Sequence, residues 1–571
     1  MPVTPTTHPL LGWLDEPSTT ASLRLAAYGD AWDSYRYSEL AALVHASAAR
    51  LLDLGVGRGD LVPIVAETTI DFAAGFFGIL LAGATPTPLA PAAALGDATE
   101  HAQHVAAVLR SVRPRHILAS GDHHLLLREA MHGTGSPAEL VDLGARWLPR
   151  ADVARPPSPE LAILQFTSGS RGRPRGVRVT CDNIGRNLNL IQRWVGIDGA
   201  HASSWLPLYH DMGLVGTFLA PICAQAGLSL MRPDQFVRSP LRWLRTFGSD
   251  GAECTAAPTF GWDHVRRRVR PAQLEGLDFS GWRVAIVGAE RVDARVLDDC
   301  LRLLGPHGLR PSTFCPAYGL AEATLAVTGV PEHRTARVLA VELDSVTLGR
   351  QVSVQGEHRL GSLPDQVVEG ATLLVGCGVP LDDDVEIIDG NRPLPEGRVG
   401  EIYASGPSIT GGYHGETASG AVVGRGLRTG DSGFMLDGEL YVLGRIGDSL
   451  KVRGRTVWVE DMEAAVFGHE SFERTRGAVL AGSWKGTATV LVLFERDLND
   501  QRLRLVQRLV RDLVGDAVVI RVLRVARRDL LRTSSGKPRR RVIWQRLSEG
   551  TLSAQTLGIS ESGLDDAEQA S

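Results

Sequence analysis

The sequence predicts an α/β protein: a large N-terminal domain of parallel-sheet α/β subdomains with a small β-barrel-like subdomain, then a small mobile α+β C-terminal domain. Three observations carry this. Short apolar strands alternate with helical stretches over the first half of the chain, the rhythm of parallel sheets crossed by helices. Near residue 370 the texture changes to short strands separated by Gly, Pro and Asp turns. From about residue 448 a new order of helices and strands begins. The 571 residues are enough for three or four units of ~150 residues.

Taken in order, YRYSEL reads as a strand entering a helix with Leu40, Leu43, Val44, Ala48 and Leu51 at helical spacing. Leu61–Val65, Ile117–Leu118, Leu161–Phe166 and Val284–Val287 read as buried strands. Val385–Ile388, Val399–Ala404 and Glu439–Leu443 are the short strands of the β-rich part, about 370–443. The C-terminal unit reads as helix Val459–Phe467, strands Gly477–Ala481 and Thr487–Phe494, helix Asp500–Val514 and strand Ala517–Val525. These boundaries divide the chain into 1–446, 447–550 and a Ser/Asp/Glu/Gly-rich tail, 551–571, expected to be disordered.

Apolar residues make up 44% and charged residues 22%, which excludes wholesale disorder, and a net charge of -5 does not favour a nucleic-acid partner. The apolar run Phe72 to Ala84 falls short of the ~20 residues that span a bilayer, so no membrane span is expected. The N-terminus has no basic segment followed by an apolar one, and the six cysteines form no C-x-x-C pair. Reduced thiols and a cytoplasmic location are therefore expected. Of 60 basic residues only Lys451, Lys485 and Lys537 are lysines. Where lysine survives among arginines, chemistry can require a compact ammonium.

Five stretches could carry chemistry. Thr167-Ser168-Gly169-Ser170-Arg171-Gly172-Arg173-Pro174-Arg175-Gly176 follows a strand and is expected to lead into a helix. Its hydroxyls, glycines and arginines suit a phosphate cradle, although no G-K-[S/T] of a Walker loop follows. Ser204-Trp205-Leu206-Pro207-Leu208-Tyr209-His210-Asp211-Met212-Gly213-Leu214 sets a histidine beside an aspartate, as a base, a metal ligand or an orienting donor. Tyr318-Gly319-Leu320-Ala321-Glu322-Ala323-Thr324, after Gly288-Ala289-Glu290, offers an aromatic for a purine and an acid for a divalent cation. Asp431 in RTGDSG, read as a tight turn, could accept ribose hydroxyls. The fifth is Thr533-Ser534-Ser535-Gly536-Lys537, a basic loop.

In this order, TSGSRGRPRG, SWLPLYHDMGL, VGAE, AYGLAEAT, RTGDSG, GR-x-x-D-x-x-K-x-RG and TSSGK resemble the acyl-adenylating (AMP-forming) superfamily, over about residues 30 to 545. SWLPLYHDMGLVG and YGLAEATLAVT look most like its fatty acyl-AMP ligase branch. The resemblance implies that a carboxylate is joined to the α-phosphate of ATP, with Mg²⁺, and that the acyl group passes to a thiol. By position, Thr167 to Gly176 would hold the β- and γ-phosphates. Tyr318 and Gly319 would face the adenine opposite Gly288, Ala289 and Glu290. Glu322 would bind Mg²⁺ and Thr324 would donate to the α-phosphate. Asp431 would take the ribose hydroxyls, helped by Arg445. His210 would sit by the substrate carboxylate, and Lys537 would bridge carboxylate and α-phosphate.

The chain departs from the superfamily pattern at Arg171, Arg175 and Gly447. The two arginines stand where threonine and lysine are usual. Gly447, beside Asp448, takes the hinge position. Lys451 sits where some relatives use a second lysine. The segment Pro331–Gln366, with strand-like Val338–Val341 and Val346–Leu348, matches the place of a branch insertion thought to restrain the C-terminal domain. That would favour the phosphopantetheine of an acyl carrier protein over free coenzyme A. Residues 521–546 hold nine arginines and Lys537 against one acid, a face that could meet an acidic carrier. An acyl-CoA synthetase, or a non-catalytic binding module on the same fold, are the alternatives. The acid is expected to be hydrophobic, with Trp205, Met212, Gly213, Phe236, Phe260 and Trp262 as pocket candidates beside His210.

Overall fold

A computed structural model describes residues 8–91, 98–144, 153–167, 174–366, 368–382, 384–416, 421–423, 426–452, 454–533 and 536–560. Its centre is a nine-stranded sheet in the order Val379–Pro380, Ala326–Gly329, Phe314–Gly319, Val284–Val287, Cys254–Ala257, His201–Ser204, Gly227–Leu230, Ser22–Ala26, Trp32–Arg36. The run from Phe314–Gly319 to Ser22–Ala26 is parallel, and the outer pairs are antiparallel. A second, wholly parallel sheet orders Thr85–Leu89, Leu61–Val65, His116–Ala119 and Glu139–Asp142.

Helix Tyr37–Asp53 starts where Glu39 accepts the Arg36 amide at 2.8 Å. It buries Leu40, Val44, Ala48 and Leu51. The apolar run after Thr69 is a buried helix, Ile70–Leu81, that packs on it. A Cβ at Gly78 would collide with Ser47, so the glycine permits the close approach.

The β-rich part is a six-stranded antiparallel sheet, with Asp384–Asp389, Gly400–Ser405, Gly426–Leu436 and Glu439–Arg445 as its main strands. A three-stranded sheet, Val354–Arg359, Arg337–Glu342 and Ala371–Val375, faces it. Single bridges at Gly376–Tyr441 and Gln351–Arg398 join the two round one apolar core of Leu339, Val341, Leu374, Phe434, Tyr441 and Trp458. The segment 331–366 supplies two strands of this sheet and 371–375 the third.

Three local expectations fail. Val346–Leu348 is a turn, not a strand, and the partner of Arg337–Glu342 is instead Val354–Arg359. Asp431 lies within the long strand Gly426–Leu436 rather than in a tight turn. Ala554–Ser560, assigned to the tail, forms the edge strand of the C-terminal sheet. That sheet orders Gly477–Trp484, Thr487–Phe494, Val519–Val525 and Ala554–Ser560. Its last strand alternates too weakly in hydropathy to show itself, and Val519–Val525 holds it by backbone pairing.

Candidate active site

A cleft of about 1220 Å³ opens at the carboxyl ends of the central parallel strands and is closed over by the C-terminal residues. Strand Val284–Val287 delivers Gly288, Ala289 and Glu290 to it, and strand Phe314–Gly319 delivers Tyr318 and Gly319. Ala289 holds a positive φ of 64°. A Cβ at Gly319 would collide with the Leu325 carbonyl, so only glycine fits there. The Tyr318 hydroxyl donates to Asp431 Oδ2 at 2.8 Å. Asp431 faces Arg445 across the antiparallel pair, with Nη1 3.6 Å from Oδ1. Adenine-facing and ribose-facing candidates thus meet through one hydrogen bond.

The phosphate segment is differently built from the expected strand-to-helix turn. Leu161–Thr167 pairs antiparallel with Arg175–Thr180, with Thr167 opposite Arg175, and the helix begins only at Cys181. The strand Arg175–Thr180 therefore stands between Thr167 and the helix. Ser168, Gly169, Ser170, Arg171 and Gly172 lie outside the described residues. Thr167 and Arg175 line the cleft. Gly176 packs on Leu164 and Phe166, where a Cβ would be tight. Arg175 is committed elsewhere. Its Nε and Nη2 bond both Glu416 oxygens at 2.8 and 2.6 Å, and its guanidinium lies 3.4 Å from the Tyr413 ring centroid.

Glu322 lines the cleft, and its Oε1 accepts the Tyr413 hydroxyl at 2.7 Å. Among the described residues no group of three or more His, Cys, Asp or Glu could hold a metal. One carboxylate with an oxygen left over nevertheless fits Mg²⁺, which is held by one or two carboxylates plus substrate phosphates. Thr324 does not fit its expected part. It is 2% exposed, has a positive φ of 66°, and donates its hydroxyl to the Ser408 carbonyl at 2.8 Å.

His210 Nδ1 lies 2.6 Å from Asp211 Oδ1, just before the π-helix Met212–Leu219. Burial alone would raise the Asp211 carboxyl. The His210 charge and hydrogen bond, the Met212 amide and the Lys537 charge outweigh it and hold the group below the usual carboxylate value.

Lys537 lines the same cleft, and its charge also acts on Glu290. Its loop is closed by Thr533 N–H to the Lys537 carbonyl at 2.7 Å and Lys537 N–H to Thr533 Oγ1 at 3.1 Å. Arg532 anchors the loop on the carbonyls of Arg474, Thr475, Gly477 and Gly536. Between the two halves run Arg474 to Asp293 at 3.1 Å and Arg291 to Asp461 at 2.7 Å. At the proposed hinge Gly447 has φ of 93°, and Asp448 sits within 3.6 Å of Arg540 and Arg541.

The pocket candidates divide. Met212 lines the cleft with His210. Trp205 and Phe236 stack at 3.9 Å inside the core, and Trp262 is fully buried beside Trp243 and Phe314. Gly213 serves packing, since a Cβ would strike the Pro207 carbonyl. Phe260 lies under Gly536 of the lysine loop. Lys451 is exposed on the hairpin Ser449–Val452/Arg455–Trp458 and is not among the cleft residues. Apolar residues that do line the cleft include Ile191, Trp194, Val195, Ile197, Val284 and Ile286. The sequence marks these only as helix and strand interior. Trp194 lies against Gly329 and donates to the Val330 carbonyl at 2.8 Å.

The chain belongs to the AMP-binding enzyme family, whose pattern matches residues 15–414. It is 31% identical over 551 residues, 91% of each chain, to the medium-chain-fatty-acid–[acyl-carrier-protein] ligase JamA of Moorena producens. It is 32% identical over 441 residues, 72% of each chain, to the long-chain-fatty-acid–AMP ligase FadD26 of Mycobacterium marinum. Among solved structures, one from a study of fatty acyl-adenylate ligases of E. coli and L. pneumophila superposes with a TM-score of 0.85 at 29% identity. That match covers 96% of this chain and 99% of the other.

Proposed function

We propose that the protein activates a hydrophobic carboxylic acid, fatty or polyketide-like, as acyl-AMP with release of pyrophosphate, for transfer to the phosphopantetheine thiol of an acyl carrier protein. The observation that carries this is that Lys537, from the C-terminal residues, shares one cleft with His210, Tyr318, Glu322 and Asp431.

The acid and the triphosphate are both anions, so their repulsion must be cancelled where they meet. A carboxylate oxygen attacks the α-phosphorus, and the bond to pyrophosphate breaks. The Lys537 ammonium stands where charge develops between them. The acid is already ionised at pH 7, so no general base is needed. His210, held by Asp211, orients the carboxylate within the cleft. Tyr318 offers its ring to the adenine, and Asp431 accepts the ribose hydroxyls. Glu322 would hold Mg²⁺, which when bound neutralises phosphate charge.

Transfer to the thiol requires the C-terminal residues to turn about Gly447. Contacts to the connection between strands Arg337–Glu342 and Val354–Arg359 oppose this. Trp458 Nε1 donates to the Val346 carbonyl at 3.0 Å, the Thr456 amide to Thr347 Oγ1 at 2.9 Å, and Arg455 pairs with Asp344 at 2.9 Å. They support a carrier-protein acceptor, which can favour the turned state through its own surface where free coenzyme A has fewer contacts. ATP–pyrophosphate exchange tests the reading. Exchange should depend on a fatty acid and on Mg²⁺. Its absence over a panel of straight, branched and cyclic acids would overturn it.

A further inference from the structure

Arg175 stands at the base of the phosphate hairpin and lines the cleft, yet its Nε and Nη2 are engaged within the protein. Glu416 takes it side-on with both oxygens, which neutralises it and fixes its plane. That plane lies on the Tyr413 ring at 3.4 Å. A lysine could still pair with the carboxylate and lie over the ring, but as a point charge it has no fork to be held side-on and no plane to stack.

Tyr413 is 5% exposed and gives its hydroxyl to Glu322 at 2.7 Å. The backbone reinforces this line. The His414 amide donates to the Gly176 carbonyl at 2.7 Å and the Arg178 amide to the Gly412 carbonyl at 3.2 Å. From the same strip the Thr410 amide reaches the Glu322 carbonyl at 2.8 Å. Residues 410–416 therefore tie the phosphate hairpin to the turn that carries the metal carboxylate.

We propose that Arg175 is a positioning residue: clamped by Glu416 and stacked on Tyr413, it fixes the tyrosine hydroxyl that sets the orientation of Glu322 toward the divalent cation, and it does not itself hold phosphate. The inference rests on the adenylation reading for the role of Glu322. A hydroxyl bound to one carboxylate oxygen stops rotation and leaves the other oxygen aimed, as partners one step behind a metal ligand do. Loss of such a partner weakens metal binding by about tenfold or more.

The test is Mn²⁺ binding in the presence of saturating ATP, read by electron paramagnetic resonance, for wild type, Arg175→Lys, Tyr413→Phe, Glu416→Gln and the Arg175→Lys/Tyr413→Phe double variant. Each single variant should bind Mn²⁺ about tenfold more weakly. The double variant should match Tyr413→Phe within about twofold, since residues acting as one unit are not additive. ATP affinity at saturating Mn²⁺ should stay within about twofold of wild type. Weaker ATP binding in Arg175→Lys with Mn²⁺ binding unchanged would overturn the proposal, as would losses that multiply in the double variant. If Arg175→Lys does not fold, Glu416→Gln and Tyr413→Phe decide, and unchanged Mn²⁺ binding in either refutes it. Acid-dependent exchange by the wild type is scored separately, so failure of the adenylation reading is distinguishable from failure of the clamp.

Discussion

Lys537 is one of three lysines in a chain that otherwise uses arginine, and it is the one that lines the cleft. Lys537→Ala should lower acid-dependent exchange by ~10²–10³ while ATP binding stays largely intact, because one donor at developing charge is lost. Lys537→Arg should also fail substantially, since a planar fork does not replace a compact ammonium. Exchange above half of wild type in either variant contradicts the assignment. Glu460 gives a second test at this scale. Burial pushes its carboxyl to about 7, against the attraction of Arg540 and with repulsion from Glu463 and Asp448. A carboxyl raised on folding binds more protons in the folded chain. The stability it contributes is present below its ordinary 4.5 and lost as pH rises through about 7. Glu460→Gln removes that titration, so the melting temperature of the variant minus that of wild type should increase with pH across this window. A flat difference contradicts the burial argument.

Residue identity was legible wherever a motif is local. Tyr318 and Glu322 share one short motif and Asp431 sits in another, RTGDSG, and the structure brings the three to one cleft. The commitment of Arg175 was not legible, because Glu416 lies 241 positions away and only the fold brings the two together. Trp205, Phe236 and Trp262 show the reverse error. Their bulk suggested a pocket wall, but large aromatics fill cores as readily: Trp205 stacks on Phe236, and Trp262 packs on Trp243 and Phe314.

At the level of elements, the strand boundaries Leu61–Val65, Val284–Val287 and Thr487–Phe494 are those expected from apolar runs. The phosphate hairpin was missed although its signal was present. Arg175–Thr180 alternates, burying Val177 and Val179, and the period of two marks a strand before the helix. The three-stranded sheet makes the acceptor question testable without removing it. Deleting residues 333 to 364 would strip the strands that cover Leu374 and Trp458, so a lighter cut is better. Asp344→Ala with Thr347→Ala removes two contacts to residues 455 and 456. The Asp344 pair is largely exposed and worth at most ~1 kcal/mol. With about 1 kcal/mol more for the Thr347 hydrogen bond, the ratio of acyl-CoA to acyl-AMP in a single turnover with free coenzyme A should rise by no more than about thirtyfold. No rise at all counts against this connection as a restraint. Trp458→Ala reports on the same junction through stability. A fully buried tryptophan with a bonded indole should cost about 3–5 kcal/mol in denaturant unfolding, and a loss below about 1 kcal/mol contradicts that packing.

Over the whole molecule, the cleft is assembled from residues more than 300 positions apart, from Thr167 to Lys537. A parallel sheet presents its loops at one end, and the C-terminal residues close over that end through Arg474–Asp293 and Arg291–Asp461. The same cleft holds Lys537, Glu322 and Asp431 together with apolar residues such as Ile191, Ile197 and Ile286. The six cysteines are free, and no helix among the described residues is long and apolar enough to cross a membrane. The most direct test is mass spectrometry of the products formed by the intact protein from ATP, Mg²⁺ and a panel of hydrophobic acids, with no thiol present. Acyl-AMP should accumulate on the enzyme in near-stoichiometric amount with at least one acid, and Lys537→Ala should form almost none. Formation of ADP in place of pyrophosphate and acyl-AMP, or no adenylate with any acid, would contradict the account.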